Sequence, residues 1–465
     1  MNINLTDVNA SVVARINGFL KKPQYIMIVM LLAGLSNILS MELAVYGLYT
    51  LSVVYICLLG DDLLPFIPLV LASYVAPSAR NNPGRAEQSV FAAGHGGNCI
   101  MLYGAIIILA LVVYVIRNRK QFFARKYPLL IGMAALCLTY LLSGIGSPAH
   151  PVSTGKNLLF ALAQSLVIVV PYFLIAGGVK WEKARNDYFA WTGFCLGGLL
   201  LCQIGWIYYA GGVVVEGVII RTNIFTGWGM YNNIGGLLAM MIPFAFCLAT
   251  KYRRGWIGTV VGSAFLVGVL LTCSRSSILM AVAIYLTCVV LMLLYAKNRR
   301  NNFIALITVV VALILVVFLF RRQLLQLFSD LLAKGTDPST RNIIYWEGLK
   351  LFGKYPIFGG SFFSPGYTPW EWSTNASFAG FFPPRWHNTV VQLLASCGVV
   401  GMIAYIFHRV QTVRLFVSGH TKEKTFIGCA ILVLLVCSLL DCHFFNLGPV
   451  LLYSMGLAFA ENCIE

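Results

Sequence analysis

Apolar runs of about 16 to 22 residues recur along almost the whole chain. Each is long enough to cross a hydrocarbon core of roughly 30 Å. Inside lipid no water satisfies the backbone amides and carbonyls, so runs of this kind have to be helices. Composition agrees, with 59% of the 465 residues hydrophobic, 11% charged and a mean hydropathy of +0.81. A soluble domain carries about 25% charged residues. The expected fold is therefore an all-α polytopic membrane protein of about 12–14 transmembrane helices. The first run starts near residue 24 and leads straight into others, so a cleaved signal peptide is not expected.

The runs predict spans at 24–40, 43–59, 62–77, 99–116, 128–145, 157–178, 188–210, 231–250, 256–272, 276–296, 303–320, 389–407, 425–440 and 446–461. The segment 62–77 is short and interrupted by prolines, which suits a broken or re-entrant element as well as a full crossing. Thirty-three Lys and Arg against sixteen Asp and Glu give a net charge of +17. On a soluble domain that excess would suggest nucleic acid, but here the basic residues lie in short loops, the pattern of the positive-inside rule. Segments 1–23, 117–126, 180–187, 251–254, 297–300 and 408–424 hold 21 of the 33 and are expected in the cytoplasm, with both termini. The spans themselves read as almost free of charge. The thirteen cysteines are scattered, mostly within apolar runs and without metal spacing, and read as small core hydrophobes.

The expected organisation is a cytoplasmic N-terminus (1–23), N-terminal spans (24–320), a large extracytoplasmic loop (321–388) and C-terminal spans (389–465). The loop is rich in aromatics, including Tyr345, Trp346, Trp370, Trp372 and Trp386, so it is expected to fold as a cap on the membrane surface rather than stay disordered. Asp337-Pro338 predicts the start of a cap helix of about fifteen residues, ending near "KYPIFGG".

Four ionisable residues on the expected outer side stand out by position. Arg275, in "LLTCSRSSILM", sits in a turn between two apolar spans, where it either snorkels to headgroups or meets a cavity or partner. Arg221 precedes "NNIGGLLAMMIP"; a guanidinium offers a planar fork of donors suited to phosphate oxygens. His387 closes the long loop after Pro383 and Pro384, and an imidazole can take a proton near neutral pH. Arg341 lies on the cap helix with Tyr345 four residues on. Asp441 and His443, in "LLDCHFFNLG", form another possible lining pair, with a structural role the simpler reading. Walker A, GxSxG and HExxH motifs are absent from the sequence. No metal site and no cofactor are expected.

Taken in order, Arg221 before "NNIGGLLAMMIP", "TCSRSSILM" with Arg275, "STRNIIYWEGLKLFGKYPIFGG" with Arg341, and "HNTVVQLLASCGVVGMIAYI" with His387 resemble the bacterial O-antigen ligase and polymerase superfamily over roughly residues 215 to 410. The resemblance implies a GT-C-like membrane glycosyltransferase. It would move a glycan from an undecaprenyl-pyrophosphate donor to an acceptor hydroxyl outside the cytoplasmic membrane, without metal and with inversion. It further implies that Arg275, Arg221 and Arg341 bind the pyrophosphate and that His387 activates the acceptor. Partners would be the lipid-linked donor, a glycan or lipid-glycan acceptor and membrane lipids, and not nucleic acid. A flippase of lipid-linked oligosaccharide or a peptidoglycan polymerase-like transferase are the alternatives. The first calls for charges deep in the spans, and the second for an outer-loop aspartate; Asp330 and Asp337 are present, but their surroundings do not resemble that family's motif.

Overall fold

A computed structural model of the chain describes residues 5–39, 41–75, 94–147, 149–183, 185–210, 212–215, 218–226, 229–319, 321, 339–362 and 385–463. Helices run in the order α1 (Leu5–Leu20), α2 (Pro23–Leu39), α3 (Glu42–Leu59), α4 (Phe66–Val75), α5 (Gly94–Arg117), α6 (Arg119–Ala124), α7 (Leu130–Leu142), α8 (Ala149–Gly178) and α9 (Tyr188–Ala210). They continue with α10 (Tyr231–Lys251), α11 (Trp256–Leu271), α12 (Arg275–Tyr295), α13 (Arg299–Leu319), α14 (Ser339–Lys354), α15 (Thr389–Val417), α16 (Lys422–Leu440) and α17 (Leu447–Asn462). Every run predicted to span falls on one of these helices. Among the described residues eight helices are long and apolar enough to cross a membrane, and a ninth span results if the pair Ser11–Leu20 and Pro23–Ser36, bent by 71°, counts as one. The predicted 62–77 span is the ten-residue α4, its side chains mostly buried against neighbouring helices.

The core is organised around α10. From Ile234 to Thr250 every residue is buried, with α9, α11, α12 and α16 packed around it. A helix apolar on all sides can only be accommodated in this way, enclosed by others. On α5, by contrast, Met101, Leu102, Ile108 and Leu109 are 59–67% exposed, the surface of a helix that faces lipid. The loop before α10 adds two small antiparallel hairpins, β1 (Val214–Val215) with β2 (Val218–Ile219) and β3 (Phe225–Thr226) with β4 (Gly229–Met230).

Helix α14 occupies Ser339–Lys354 and ends in "KYPIFGG", where the sequence predicts; its predicted start at Asp337-Pro338, like Asp330, Pro383 and Pro384, lies outside the described residues. Its Ile344 and Leu351 pack with Trp386, just before α15, and with Val391 and Ala395 on the first turns of that helix. Beyond those turns α15 breaks at Gly398, which has φ 66° and ψ −161°. The segment after α14 fills the break: Val399 N–H donates to the Pro356 carbonyl at 2.8 Å, and Gly360 N–H donates to that of Ala395 at 2.7 Å. A side chain at 398 would be both in the wrong backbone region and about 2.2 Å from the Ile357 carbonyl oxygen. "PIFGG" and "SCGVVG" are thus two halves of one joint.

One boundary differs from expectation. Segment 408–424 reads as a cytoplasmic loop, yet α15 continues to Val417 and encloses Arg409. Its guanidinium lies 4.3, 4.5 and 4.9 Å from the ring centres of Phe444, Tyr405 and Tyr453, and donates to the Tyr453 hydroxyl at 2.8 Å. The span is therefore not free of charge. Hydropathy averaging hides a buried cation whose solvent is aromatic faces.

Candidate active site

The site residues assemble where α10 begins. Asn388 caps α15: its Oδ1 accepts from the amides of Val390 (2.8 Å) and Val391 (3.1 Å), while its Nδ2 donates to the Leu439 carbonyl at 2.7 Å. This ties the start of α15 to the end of α16 and brings His387 beside Asp441. The Tyr345 hydroxyl of α14 holds the His387 carbonyl at 3.0 Å. His387 itself is left-handed, with φ 51°. Among the described residues these contacts fix the imidazole; Pro383 and Pro384, expected to hold it, lie outside them.

His387 Nδ1 lies 3.0 Å from Asp441 Oδ1. The carboxylate also accepts from the Cys442 amide (2.8 Å) and from Asn232 Nδ2 (3.2 Å), and Arg341 Nη2 stands 3.9 Å from Oδ2. Burial alone would raise the Asp441 carboxyl. The His387 hydrogen bond, the charges of His443 and His387 and the Cys442 amide outweigh it and hold the group down at about 2. An ionised carboxylate only accepts, so Nδ1 of the neutral ring carries the proton and Nε2 is the basic nitrogen. A third of the His387 side chain is exposed.

His443 is the buried neighbour. Burial pushes its imidazole below the ordinary range, with Arg341 adding to the effect and Asp441 opposing it. Neither ring nitrogen has a hydrogen-bond partner among the described residues. Gly236 of α10 lies flush against it, and a Cβ there would stand 2.9 Å from His443 Cε1.

Asn232 joins this corner to the Ser-Arg turn. Its carbonyl accepts from Ser277 Oγ (3.3 Å), which meets Ser274 Oγ at 2.9 Å. Arg275 is the first residue of α12 and is exposed, whereas Thr272, Ser274 and Ser277 are fully buried. Ser274, the N-cap, makes no side-chain bond to the first-turn amides. The start of a helix, where the dipole is positive, beside an arginine is suited to an anion. The preceding Cys273 has φ 55°; with His387 it is one of two non-glycine residues of positive φ among those described. Such conformations cost about 1–3 kcal/mol each and tend to occur at functional turns.

Arg221 lies in a single 3-10 turn between the hairpins, its guanidinium 5.1 Å from the ring centre of Tyr231, the neighbour of Asn232. Its charge is felt at the Cys273 thiol, which burial pushes up and Arg221 pulls back. The four residues singled out by sequence thus share one end of the bundle. Two that were underweighted complete it. Asp441 read as structural because nothing in the chain links it to a histidine 54 positions earlier, and Asn232 stood unremarked inside a recognised motif. Among the described residues no three His, Cys, Asp or Glu side chains gather as a metal site would need.

A search of curated proteins finds no match. The model of a protein family described as O-antigen ligase matches residues 260–406. That stretch contains the Ser-Arg turn, α14, His387 and the part of α15 that includes its break at Gly398, and excludes Arg221, Asn232 and Asp441. The match covers under a third of the chain, and over that stretch it supports the resemblance to the O-antigen ligase and polymerase superfamily.

Proposed function

We propose that the protein is an inverting glycosyltransferase of GT-C-like architecture that works without metal in the bacterial cytoplasmic membrane. It transfers a glycan from an undecaprenyl-pyrophosphate carrier to an acceptor hydroxyl on the outer face, as a polymerase or a ligase. The observation that carries this reading is the His387–Asp441 pair, joined through Asn232 and Ser277 to the Ser274–Arg275 turn.

In this reading Arg275, the first amides of α12 and Arg221 bind the pyrophosphate, and Arg341 lies between that charge and Asp441. Charge developing on the departing pyrophosphate meets groups already oriented toward it, the arrangement that stabilises a transition state most. His387 Nε2 removes the proton of the acceptor hydroxyl as its oxygen attacks the anomeric carbon. The bond from that carbon to the pyrophosphate oxygen breaks, and the carrier leaves with the electron pair. Asp441 fixes the ring's tautomer and offsets the imidazolium that forms.

A transporter reading would place charges along a path through the spans. The buried Arg409 is closed in by three aromatic rings instead, which favours the enzyme. The test is transfer by purified protein in detergent with EDTA, from a lipid-pyrophosphate oligosaccharide to alternative acceptors. Growth on the donor's own repeat identifies a polymerase, and transfer to another lipid identifies a ligase. Undiminished transfer by the His387→Ala protein would remove His387 as the base. Arg275→Lys retains charge but loses the planar fork, and its failure to transfer would support bidentate phosphate binding.

A further inference from the structure

At the far end of α10 from His387, about 30 Å away for a helix of this length, the chain forms a cavity of about 1110 Å³. It is lined by the turns that link α8 to α9, α10 to α11 and α12 to α13. Four cationic side chains face it, Arg185, Lys251, Arg253 and Lys297, against two carboxylates, Glu182 and Asp187. The internal pairings are unequal. Arg185 grips Asp187 through two bonds of 3.1 Å, with the Tyr252 hydroxyl on the same carboxylate, and Lys251 is paired with Glu423 at 2.8 Å. Arg253 and Lys297 have no carboxylate within ion-pair distance among the described residues, and both are exposed.

The backbone holding those two cations is fixed. Lys297 N–H donates to the Thr250 carbonyl at 3.3 Å, Asn298 Nδ2 donates to that of Arg253 at 3.4 Å, and Asn302 Nδ2 donates to that of Ala249 at 3.1 Å. The two turns therefore act as one rigid rim. The topology rule accounts for how many basic residues lie at this end of the bundle. It does not account for their convergence on a cavity, or for the pairing that consumes some and leaves others. Exposed apolar side chains begin immediately beside the rim: Trp256 and Ile257 at the start of α11, Leu294 at the end of α12 and Phe303 on α13. An anion with apolar tails matches both surfaces at once, whereas a soluble anion matches only the cations.

We infer that this cavity is a binding site for the phosphate of an anionic phospholipid, seated between Arg253 and Lys297, with the acyl chains along α11, α12 and α13. The inference does not depend on the transfer chemistry at the other end.

Delipidated full-length protein titrated with phosphatidylglycerol or phosphatidylcholine, with bound lipid counted by native mass spectrometry, tests it. Phosphatidylglycerol should bind in preference. The Arg253→Gln/Lys297→Gln protein should lose roughly ten- to thirtyfold of that preference, as expected for two basic residues near an anionic headgroup. Arg254→Gln, an exposed neighbour that does not line the cavity, should bind as wild type. Equal binding of the two lipids, or an equal loss in the Arg254 variant, would reduce the site to diffuse surface charge and overturn the proposal. Displacement by millimolar inorganic phosphate with no preference between lipids would assign the cavity to a free anion instead.

Discussion

His387 stands at the start of α15 and His408 lies within it, and their surroundings are chemically opposite. His387 has a carboxylate on one nitrogen, an open side to its ring and a left-handed backbone. His408 is fully buried, its Nε2 meets the Tyr453 hydroxyl at 2.8 Å, and its neighbour in the chain is the cation Arg409. Enclosed in this way, the imidazole serves as a hydrogen-bonding spacer between two helices. An imidazole with an acid behind it and space in front can take a proton and be stabilised once it has. The same side chain thus takes two roles according to what each end of α15 packs against.

The largest effects should separate these two. His387→Ala should lower transfer by roughly 10²- to 10⁴-fold, the range for loss of a general base, while leaving the thermal unfolding midpoint near wild type. His408→Ala should do the reverse. It leaves Tyr453 with Arg409 and Thr412 but opens a buried site, costing about 1–3 kcal/mol of stability, with transfer per folded molecule unchanged. Transfer rates and melting curves on both proteins check the pair. A large loss of transfer in folded His408→Ala would dissolve the distinction.

Asp441→Asn comes next. Its carboxyl sits at about 2, below the ordinary 3.8. The stabilisation from its partners is therefore complete above pH 4 and disappears as pH falls through 2, roughly 2 kcal/mol in all. Melting followed from pH 5 to pH 2 should show wild type losing that extra increment and the asparagine variant not. At neutral pH the variant should transfer more slowly, because an amide can donate as well as accept and no longer fixes the His387 tautomer. Identical acid dependence in the two proteins would mean that Asp441 is not held by these contacts.

The helices were legible because lipid permits one backbone solution and hydropathy reports where it is needed. Arg275, Arg221, Arg341 and His387 were legible as polar groups in awkward places. Asp441 and Asn232 were not, since each acts across a contact between helices distant in sequence. Arg409 was misassigned for a related reason. A basic residue at a span's end reads as topology, and only packing reveals that Phe444, on the turn after Asp441, forms one of its walls. The break in α15 was present as two glycine-containing motifs, but which motif fills the other is a property of the fold.

A smaller effect sharpens the comparison from the α10 side. Gly236→Ala would place a methyl against His443, whose ring must shift by a few tenths of an ångström. Because His443 shares a turn with Asp441, the shift should lower transfer severalfold while leaving overall stability within about 1–3 kcal/mol, as for overpacking. Gly236→Ala with wild-type transfer would show that the turn tolerates movement.

Arg341→Ala should have the smallest effect. Its guanidinium is 3.9 Å from Asp441 Oδ2, at the limit of an ion pair, and a third of its side chain is exposed. Pairs of this kind contribute about 0–1 kcal/mol, so as a neighbour of Asp441 alone Arg341 accounts for a few-fold loss of transfer. That loss should be screened by salt and appear in kcat rather than KM. A pyrophosphate ligand would behave differently, with a rise in KM for the lipid-linked donor and recovery by Lys in proportion to charge. Steady-state kinetics of Arg341→Ala and Arg341→Lys over a range of donor concentrations therefore decide whether this arginine belongs to the acid–base pair or to the phosphate site beside Arg275.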